Sequence, residues 1–370
     1  MKITAAVSRD GEAAPRLEEA ELAEPRAGEI LVRIVAVGIC HTDIRTHSGG
    51  GWGTPKPIVL GHEGAGVVER VGPGVSDVKP GDHIVLSGSS CGRCHSCLDN
   101  HPTYCREVIP RSFGGARMDG SSALSQDGER LHGHFFGQSS FATYAIAEER
   151  SAVIVPDDVP LELVAPMGCG IITGVGSVLY SFGVRPGQSI AVFGTGSVGL
   201  SAIMAAQLCG ARHIVAVDPV AERRALAEEL GATASVDPAA GDAAEQVLAL
   251  VPGGVDFSFN TTSVPAVYDA ALRVLAMRGT AGFVTAPRGD WIPAMPFILG
   301  GGRSVRGIIG GDAPPRLAIP LMIDYWRQGR FPIDRLIRHY GFDEIGQAFE
   351  DCHSGRTIKP VLRMPQSPPH

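Results

Sequence analysis

Short apolar runs, broken by glycine and proline, dominate the chain up to about residue 156. Three of them, at 30–37, 66–71 and 83–86, combine β-branched residues with a length typical of strands. Turn signals containing glycine and proline stand between them at 72–74 and 79–82. This pattern predicts a mainly antiparallel β-domain.

From about Thr173 the pattern changes to strands that alternate with helices. Strands are predicted at 189–193, 214–217, 255–259 and 280–284, and helices at 198–209, 221–230 and 265–277. Such a series is typical of a parallel, doubly wound sheet. Further along we expect a helix at 316–328, a strand near 359–363 and a loose tail at 365–370.

The composition narrows the class of protein. A length of 370 residues favours two or three domains, and a hydrophobic share of 44% is enough for sizeable cores. The 32 basic and 39 acidic residues give a net charge of −7 with no dense basic run, which argues against a nucleic-acid partner. No stretch approaches the roughly 20 apolar residues of a membrane helix, and the start of the chain has no signal-peptide pattern. We therefore expect a cytoplasmic protein with a small-molecule partner and no membrane association.

A glycine motif marks a candidate dinucleotide site. Gly194, Gly196 and Gly199 have the G-x-G-x-x-G spacing, directly after a predicted strand and at the start of a predicted helix. Asp218 ends the next strand, 19 residues after Gly199, where a carboxylate can bind the hydroxyls of an adenosine ribose. The glycines would let the backbone approach a pyrophosphate at the start of the helix.

The residues after this motif bear on which dinucleotide is bound. A carboxylate at Asp218 would repel the 2′-phosphate of NADP, so NAD is favoured. Arg223 and Arg224 lie on the following predicted helix. Three interpretations of these arginines stay open: they tolerate the 2′-phosphate of NADP, one of them contacts the adenosine, or they are ordinary solvated charges on the helix.

Four of the eight cysteines fall in one short window: Cys91, Cys94, Cys97 and Cys105. In a long chain without a leader, this clustering favours a metal over disulfides. Four thiolates complete a tetrahedral shell, so we predict a structural zinc with no open position. A disulfide pair or an iron–sulfur cluster is the alternative, although clusters normally use other spacings.

Three further metal-ligand candidates, Cys40, His62 and Cys169, are spread along the chain, and their spacing does not unite them. In order, however, the G-x-C-H-T-D segment at 38–43, the G-H-E-G-A-G segment at 61–66, the four-cysteine lobe, Cys169 and the glycine motif resemble the zinc-dependent alcohol dehydrogenases of the medium-chain dehydrogenase/reductase superfamily. The likeness runs over nearly the whole chain. Segments 134–144 and 166–174 are most similar to the aryl (benzyl) alcohol dehydrogenases.

The resemblance implies a fold of two kinds of domain, α/β plus β. A GroES-like, β-rich catalytic domain would cover 1–171, with the structural zinc lobe at about 88–110. A Rossmann domain with a doubly wound parallel sheet would bind NAD at 172–311. Residues 312–370 would return to the catalytic domain and end in the tail.

The resemblance also implies a second, catalytic zinc. Cys40, His62 and Cys169 would bind it and leave the fourth position to water or the alcohol oxygen. Glu63 would lie near the metal and enter its shell transiently. Asp43 would hold His62 in one tautomer, as carboxylates do for metal-bound imidazoles.

Other residues would serve the cofactor and the proton. Thr42 would take the proton of the alcohol, and the hydride would pass to the nicotinamide of NAD. His41 and Lys359 would face the cofactor pyrophosphate, and Thr173 and Val198 would lie against the nicotinamide.

One position departs from the pattern of many relatives, which end the proton relay at a histidine three residues beyond Thr42. Arg45 stands there in this chain. His47, or a water reached through the ribose hydroxyls, would have to substitute, and His47 is otherwise expected to be an exposed loop side chain.

The substrate pocket is expected near Ile44, Trp52, the stretch after Leu86, and the pair Phe135 and Phe136, which favours an apolar, aromatic alcohol. The small residues 87–90 indicate a wider pocket than relatives have. Residues 107–132 are expected to be a lid or a surface loop. The strand-like run 303–310 stands where relatives pair sheets, so a homodimer or homotetramer is expected.

We therefore predict an NAD- and zinc-dependent dehydrogenase for primary aryl or allylic alcohols and their aldehydes. A dehydrogenase for terpenoid, secondary or adduct alcohols is the alternative on the same fold. A non-catalytic dinucleotide-binding protein with structural zinc only is a third interpretation, which the set of Thr42, Cys40, His62 and Cys169 disfavours.

Overall fold

The computed structural model describes residues 1–365, so the predicted tail lies, from residue 366, outside the described residues. The chain divides into two compact units. The first comprises Met1–Cys169, Pro314–Ile323 and the chain from Ile333 onward. The second comprises Gly170–Ala313 and Asp324–Pro332.

The strands of the described chain are, in order, β1 (Lys2–Ser8), β2 (Arg16–Leu22), β3 (Glu29–Gly38), β4 (Ile58–Val59), β5 (Gly64–Val71), β6 (His83–Leu86), β7 (Leu124–Gln126), β8 (Glu129–Leu131), β9 (Tyr144–Glu148), β10 (Ala152–Ile154), β11 (Ser189–Phe193), β12 (His213–Val217), β13 (Ala234–Val236), β14 (Val255–Asn260), β15 (Leu275–Phe283), β16 (Ser304–Gly307), β17 (Ile337–Gly341) and β18 (Lys359–Arg363).

The α-helices are α1 (His41–His47), α2 (His95–Leu98), α3 (Val108–Phe113), α4 (Leu161–Val164), α5 (Gly170–Gly176), α6 (Ser197–Leu208), α7 (Ala221–Glu229), α8 (Ala243–Leu250), α9 (Pro265–Arg273), α10 (Met295–Gly301), α11 (Pro315–Arg327) and α12 (Ile345–His353). A π-helical turn, Ser177–Phe182, continues α5. Short 3₁₀ turns lie at Pro102–Tyr104, Phe135–Gly137, Glu149–Ser151, Ala165–Gly168, Gly310–Asp312, Ile333–Leu336 and Phe342–Glu344.

Two sheets build the first unit. One has the order β4-β1-β2-β7-β8, and the other has the order β10-β6-β5-β3-β18-β17, with β9 also paired to β3. The pairs are antiparallel except β17 with β18. Apolar side chains of both sheets, such as Ile3 and Val7 of β1 and Val32 of β3, form one buried cluster with α12. The burial of this apolar surface stabilises the β-rich unit.

One six-stranded parallel sheet forms the centre of the second unit, with the order β13-β12-β11-β14-β15-β16. Its central strand β11 is buried along its whole length, and four of its five residues are apolar. From β11 the chain adds β12 and β13 on one side of the sheet, and later β14, β15 and β16 on the other side, so the strand order reverses between β11 and β14. Ligands of such sheets bind at the carboxyl ends of the strands at this point. The predicted fold class, β plus doubly wound α/β, is confirmed.

Two segments differ from expectation. The helix expected at 265–277 ends at Arg273, because Leu275 already pairs with Val255 as the start of β15. Residues 107–132 contain α3 and the hairpin of β7 and β8, which extends the first sheet through contacts of β7 with β2. This segment is therefore part of the folded unit.

Among the described residues, no single helix has the length and hydropathy of a membrane span. The consecutive segments Leu161–Gly168 and Gly170–Phe182 meet these two criteria only when they are counted together.

Candidate active site

Four metal-binding side chains that are distant in sequence meet in the first unit. One donor atom each from Cys40, His62, Glu63 and Cys169 lies within 4.8 Å of the other three. Cys40 stands directly before α1 and His62 just before β5, in the loops that lead into these elements. Cys169 follows the 3₁₀ turn Ala165–Gly168. The fold thus unites candidates that spacing alone left apart.

The donor set fits a zinc ion. The Nε2 atom of His62 is buried and has no hydrogen-bond partner, which is costly unless a further group binds it. Thiolates and imidazole are ligands that zinc prefers. The two cysteines and His62 can therefore hold zinc and leave a fourth position for a substrate oxygen.

Asp43 holds two of these ligand candidates in position through hydrogen bonds. One of its oxygens accepts hydrogen bonds from Nδ1 of His62 at 2.9 Å and from the N–H of Gly61 at 3.1 Å. The other accepts from the N–H of Cys40 at 3.0 Å. Asp43 is fully buried, so these bonds lie in a region of low dielectric.

The charge state of the cluster follows from its neighbours. A hydrogen bond with Cys169 lowers the pKa of Cys40 well below its ordinary value, although burial opposes this. The same contact and burial raise the pKa of Cys169 well above its ordinary value. Burial lowers the pKa of His62, but the charge of Asp43 and their hydrogen bond raise it overall. A metal binds thiolates and a neutral imidazole, so metal binding releases the protons that these groups carry without it.

The proton-relay candidates occupy different environments. The hydroxyl of Thr42 is half-buried and lies 3.8 Å from the sulfur of Cys40. Arg45 and His41 are exposed on α1. His47 is buried, against our expectation of an exposed loop side chain. Both of its ring nitrogens have structural partners, and its role as a substitute relay is therefore not supported.

The partners of His47 explain its burial. Its Nδ1 lies 2.7 Å from the hydroxyl of Ser8, and its Nε2 lies 3.0 Å from the carbonyl oxygen of Glu12. Burial lowers the pKa of this imidazole. His47 thus joins the end of α1 to the first strands of the unit.

Lys359 has its partners inside the first unit. Only 2% of this residue is exposed, and its ammonium group contacts both carboxylate oxygens of Glu63, at 3.0 and 2.9 Å. It also donates to the carbonyl oxygen of Ile39 at 3.1 Å. Its expected contact with a pyrophosphate stays a prediction.

A row of aromatic rings begins at the metal-binding cluster. Phe136 stacks on the imidazole of His62, with ring centres 4.5 Å apart and an angle of 24° between the planes. Phe135 meets the same imidazole edge-on at 5.6 Å. Phe113, from α3, lies 5.2 and 5.8 Å from these two phenyl rings and 6.2 Å from Trp52. Because Trp52 is 68% exposed, the row connects the cluster with the surface.

The small residues after β6 leave room for this row. A Cβ atom at Gly88 would lie 3.7 Å from the ring of Phe136, in ordinary contact. Phe136 itself has a left-handed backbone, with φ 51° and ψ 27°, a conformation that costs about 1 kcal/mol or more in such a residue. The small residues 87–90 predicted a wider pocket, and the ring of Phe136 fills part of that space.

The four lobe cysteines also meet. Their sulfurs all lie within 4.8 Å of one another, with Cys94 and Cys97 3.5 Å apart. Backbone N–H groups donate to the sulfurs of Cys91 and Cys105, at 3.3 and 3.2 Å. Backbone hydrogen bonds lower the pKa of Cys94 to about 6, and burial raises that of Cys105 to about 12. Four sulfurs in one shell fit a closed zinc site.

The second unit carries the glycine motif at the reversal point of its sheet. Gly194 follows β11 with φ +87°, and a Cβ there would crowd Thr261 and Thr262. A Cβ at Gly199 would overlap the carbonyl oxygen of Gly194. At Gly196, directly before α6, a Cβ would meet nothing within 4 Å. This open space at a helix start suits a pyrophosphate.

Asp218 is buried directly after β12. One of its oxygens accepts from the N–H of Thr195 at 2.8 Å, and the other accepts from the N–H of Val220 at 2.9 Å. The carboxylate therefore ties the glycine loop to the end of the next strand. A second lone pair on each oxygen leaves a contact with a ribose possible.

The remaining cofactor candidates lie in the same unit. Arg224 donates to the carbonyl oxygen of Asp218 at 2.8 Å and pairs with Asp237 at 3.1 Å, so it is engaged within the protein. Arg223 lies on α7, Thr173 on α5 and Val198 in the first turn of α6, all half-buried. Their contacts with a cofactor stay predictions.

Comparisons with known proteins agree with this geometry. Residues 26–157 match the family model described as an alcohol dehydrogenase GroES-like domain, and residues 197–324 match that of a zinc-binding dehydrogenase. Geraniol dehydrogenase of Castellaniella defragrans is 47% identical over 350 residues, which cover 94% of this chain and 93% of that protein. The chain belongs to the zinc-dependent alcohol dehydrogenase family. The resemblance stated from the sequence is thereby confirmed.

Solved structures of the family are similar throughout. The alcohol dehydrogenase zinc-binding domain protein from Burkholderia ambifaria has a TM-score of 0.96 at 47% identity, covering 99% of this chain and 100% of that one. The benzyl alcohol dehydrogenase from Acinetobacter calcoaceticus has a TM-score of 0.95 at 39% identity, with the same coverage.

Two side chains of this alcohol dehydrogenase family member were missed by sequence reasoning. Gln138 is buried, and its amide binds the backbone of His62, Gly64 and Ser87. The signal available was a polar residue inside an apolar, glycine-containing segment. Phe113 was hidden in a segment that the sequence presented as a loop.

Proposed function

We propose that this chain is an NAD-dependent zinc alcohol dehydrogenase that interconverts a primary aryl or allylic alcohol and its aldehyde. The observation that carries the proposal is the buried, unpartnered Nε2 atom of His62, in a cluster with Cys40 and Cys169 and with the ring of Phe136 stacked on its imidazole. A metal-binding group directly beside an aromatic wall would place the hydroxyl of an apolar alcohol at the metal.

The two units have different roles in the proposed reaction. We propose that Cys40, His62 and Cys169 of the first unit hold the catalytic zinc, and that the glycine loop of the second unit binds NAD. When bound, zinc supplies a Lewis acid that lowers the pKa of the substrate hydroxyl, and NAD accepts the hydride. Thr42 takes the hydroxyl proton, because its own hydroxyl lies beside Cys40. With His47 engaged elsewhere, the proton leaves through water.

The four lobe cysteines hold a second zinc in this proposal. Their shell is complete, so it leaves no position for a substrate and stabilises the lobe. Thiolate ligands also require a reducing compartment, which agrees with the cytoplasmic location expected from the sequence.

The aromatic row supports the substrate class. Phe136 and Phe113 are half-buried and offer ring faces and edges to a planar substrate, while the fully buried Phe135 packs against both rings. Aromatic pairs of this kind contribute about 0.5–1.5 kcal/mol each beyond burial. Conjugated alcohols such as benzyl and cinnamyl alcohol present a flat surface to these rings.

A terpenoid alcohol is the second candidate. The geraniol dehydrogenase of Castellaniella defragrans shares more identity with this chain than the benzyl alcohol dehydrogenase does, 47% against 39%. Geraniol is itself an allylic primary alcohol, so both candidates share the reacting group.

Steady-state kinetics on protein of known zinc content tests the proposal. The panel comprises benzyl alcohol, cinnamyl alcohol, geraniol, ethanol and a secondary alcohol, each with NAD⁺ and NADP⁺. Preferred turnover of the conjugated alcohols with NAD⁺ at two zinc ions per chain is the expected result. Zinc at one site only, without turnover, would instead revive a non-catalytic dinucleotide-binding protein.

A matched pair of variants separates the two substrates. Phe136→Leu removes a ring beside His62, and kcat/KM for benzyl alcohol should fall about 2- to 10-fold relative to geraniol. Phe182→Leu, which removes a ring packed on Phe257 in the second unit, should leave that ratio unchanged. An unchanged ratio in both variants would favour a substrate that does not touch Phe136.

We also propose that the protein is a homodimer or homotetramer. Among the described strands, β16 pairs with β15 alone, and all four of its residues are exposed. Val305 and Ile309 add exposed apolar side chains there. A free strand edge of this kind commonly pairs with another chain. Light scattering of the Val305→Lys variant tests this, because a charge on the edge should lower the molar mass.

A further inference from the structure

An arginine side chain lies at the carboxyl ends of β12 and β13. Arg224, in the first turn of α7, donates from Nη1 to the carbonyl oxygen of Asp218, directly after β12, at 2.8 Å. Its Nη2 lies 3.1 Å from a carboxylate oxygen of Asp237, directly after β13. Ligands of such sheets bind at the carboxyl ends of the strands. The guanidinium therefore lies at the edge of the sheet where we place the adenosine end of the dinucleotide.

Asp237 is held in position independently of the arginine. Its Oδ1 accepts from the N–H of Ala239 at 2.8 Å, and its Oδ2 is the oxygen that contacts Arg224. Its carbonyl oxygen accepts from the N–H of Ala240 at 3.1 Å and from the side-chain amide of Gln246, on α8, at 2.9 Å. The loop after β13 thus presents a fixed carboxylate to the guanidinium.

The guanidinium of Arg224 keeps capacity for a further anion. A guanidinium has five N–H donors, and within the described part of the chain the contacts with Asp218 and Asp237 use two of them. The side chain is 18% exposed, so solvent reaches it. Arginine is well suited to phosphate because its planar fork matches the phosphate oxygens. What Arg224 lacks for this task is an unbalanced charge.

We propose that Asp237 is a second specificity-determining residue of the dinucleotide site, which balances the charge of Arg224 and so denies a 2′-phosphate its cationic partner. The inference rests on the proposed function, in which the second unit binds NAD. Asp218 disfavours a 2′-phosphate through its own charge, whereas Asp237 acts through the arginine. Two carboxylates with different actions thus favour NAD over NADP.

The charges explain why only one cofactor is affected. The adenosine ribose of NAD carries neutral hydroxyls, so its binding depends little on the net charge of the Arg224–Asp237 pair. NADP carries a phosphate there, with about 1.5 to 2 negative charges near pH 7. With Asp237 ionised the pair is neutral as a whole. A neutral residue at 237 leaves a full positive charge, which should favour NADP selectively.

The Asp237→Asn variant tests this directly. Its amide oxygen can still accept from the N–H of Ala239, but the side chain carries no charge. Titrations that follow the fluorescence of the reduced nicotinamide give the dissociation constants of NADPH and NADH without any turnover. We expect the constant for NADPH to fall about tenfold and that for NADH to stay within about twofold. Because Asp218 stays in place, the preference should narrow and not reverse.

A double variant identifies the group that binds the phosphate. In Asp237→Asn with Arg224→Met the guanidinium is absent, so the dissociation constant of NADPH should return at least to the parental value. A gain in NADPH affinity that persists in the double variant would mean that Asp237 repels the phosphate without help from Arg224. That result would overturn the proposal.

The matched control removes another acidic charge from the same helix and strand. Glu228, on α7, accepts from the hydroxyl of Ser235, on β13, at 2.6 Å. Glu228→Gln changes the net charge as much as Asp237→Asn does, yet both dissociation constants should stay at the parental values. The Arg224–Asp237 pair is partly exposed, so its loss should have little effect on stability. If Asp237→Asn does not fold, Asp237→Ser keeps the test usable, because a hydroxyl also accepts from the N–H two residues further on.

The possible failures are distinguishable. A parent protein that binds neither NADH nor NADPH contradicts the dinucleotide site and with it the proposed function. A parent that binds NADPH more tightly contradicts the proposed preference for NAD. A parent that prefers NADH, together with an Asp237→Asn variant of unchanged NADPH affinity, contradicts the role of Asp237 alone.

Discussion

Asp43 accepts a hydrogen bond from Nδ1 of His62 at 2.9 Å, and neither side chain has any exposed surface. Its other oxygen accepts from the N–H of Cys40. One carboxylate thus orients two of the three proposed zinc ligands. The bond to Nδ1 places the proton on that nitrogen and leaves Nε2 for the metal.

The Asp43→Asn variant should lose metal and activity together. The amide lacks the charge that supports the imidazole, so we expect metal affinity and kcat to fall about 10- to 100-fold. Zinc content after dialysis against a chelator and kcat measure both effects. Asp242→Ala is the control, because it removes the carboxylate that caps α8 in the second unit and should cost about 1 kcal/mol of stability with no loss of metal. Parental metal affinity in Asp43→Asn would show that His62 needs no such support.

Alanine at the second and at the third glycine of the motif should have different effects. A Cβ at Gly196 meets nothing within 4 Å, so Gly196→Ala should change the free energy of unfolding by less than about 0.5 kcal/mol. Its methyl group lies where we place the pyrophosphate, and KM for NAD⁺ should rise about tenfold or more. Gly199→Ala should instead lose about 1–3 kcal/mol of stability, because its methyl group overlaps Gly194. Denaturant unfolding and cofactor titration distinguish them, and an unaltered KM in Gly196→Ala would contradict the placement.

Variants of Asp218 separate cofactor choice from loop support. Asp218→Asn removes the charge but keeps one of the two acceptors, so it should narrow the preference for NAD⁺ over NADP⁺ and lower stability less than a variant that loses both acceptors. Asp218→Ala should narrow the preference and also lower stability by about 1–3 kcal/mol, since two buried N–H groups lose their acceptor. The ratio of kcat/KM for the two cofactors measures the effect. A constant ratio in both variants would remove Asp218 from cofactor selection.

His134 predicts how stability responds to acid. Burial lowers its pKa from 6.5 to about 4, and its Nε2 accepts from the N–H of Ala123, so the folded protein requires the neutral ring. Below pH 6.5 the unfolded chain binds a proton that the folded chain does not, and stability should therefore fall between pH 6.5 and 4, by about 3 kcal/mol in total. Above pH 6.5 this contribution is absent.

The His134→Asn variant tests this dependence. Asparagine tolerates the left-handed backbone of this position, φ 57°, and it does not titrate. Urea unfolding at pH 7, 6 and 5 should show a smaller decrease in the variant than in the parent. His353→Asn, at an exposed position of α12, is the control. Parallel curves for His134→Asn and the parent would assign the acid sensitivity to other groups.

The sequence predicted the elements that have strong local patterns. Strands β6, β11 and β18 have the predicted bounds, and the glycine motif lies at the predicted strand end, because apolar runs and glycine spacing are local signals. The meeting of Cys40, His62 and Cys169 was available only through the resemblance, since no local pattern encodes contacts across so many residues.

Other features depended on tertiary contacts that the sequence does not display. The resemblance placed Lys359 at the cofactor pyrophosphate, and its buried ion pair with Glu63 was not visible from the sequence. His47 looked like a loop residue, but packing on Ser8 and Glu12 buries it. In both cases a polar side chain found its partner within the fold, which burial requires.

The segment between β6 and β9 contains parts that have different roles. Within it lie the four lobe cysteines, the ring of Phe113, the pair Phe135 and Phe136, and Gln138. A single stretch of chain thus contains the four-cysteine lobe, most of the aromatic row and Gln138, which binds the backbone of the metal-ligand candidate His62. If this stretch, from the end of β6 to the start of β9, were exchanged between family members, we expect the substrate preference to change with it. The residues proposed to bind the catalytic zinc and the dinucleotide unit would stay unchanged.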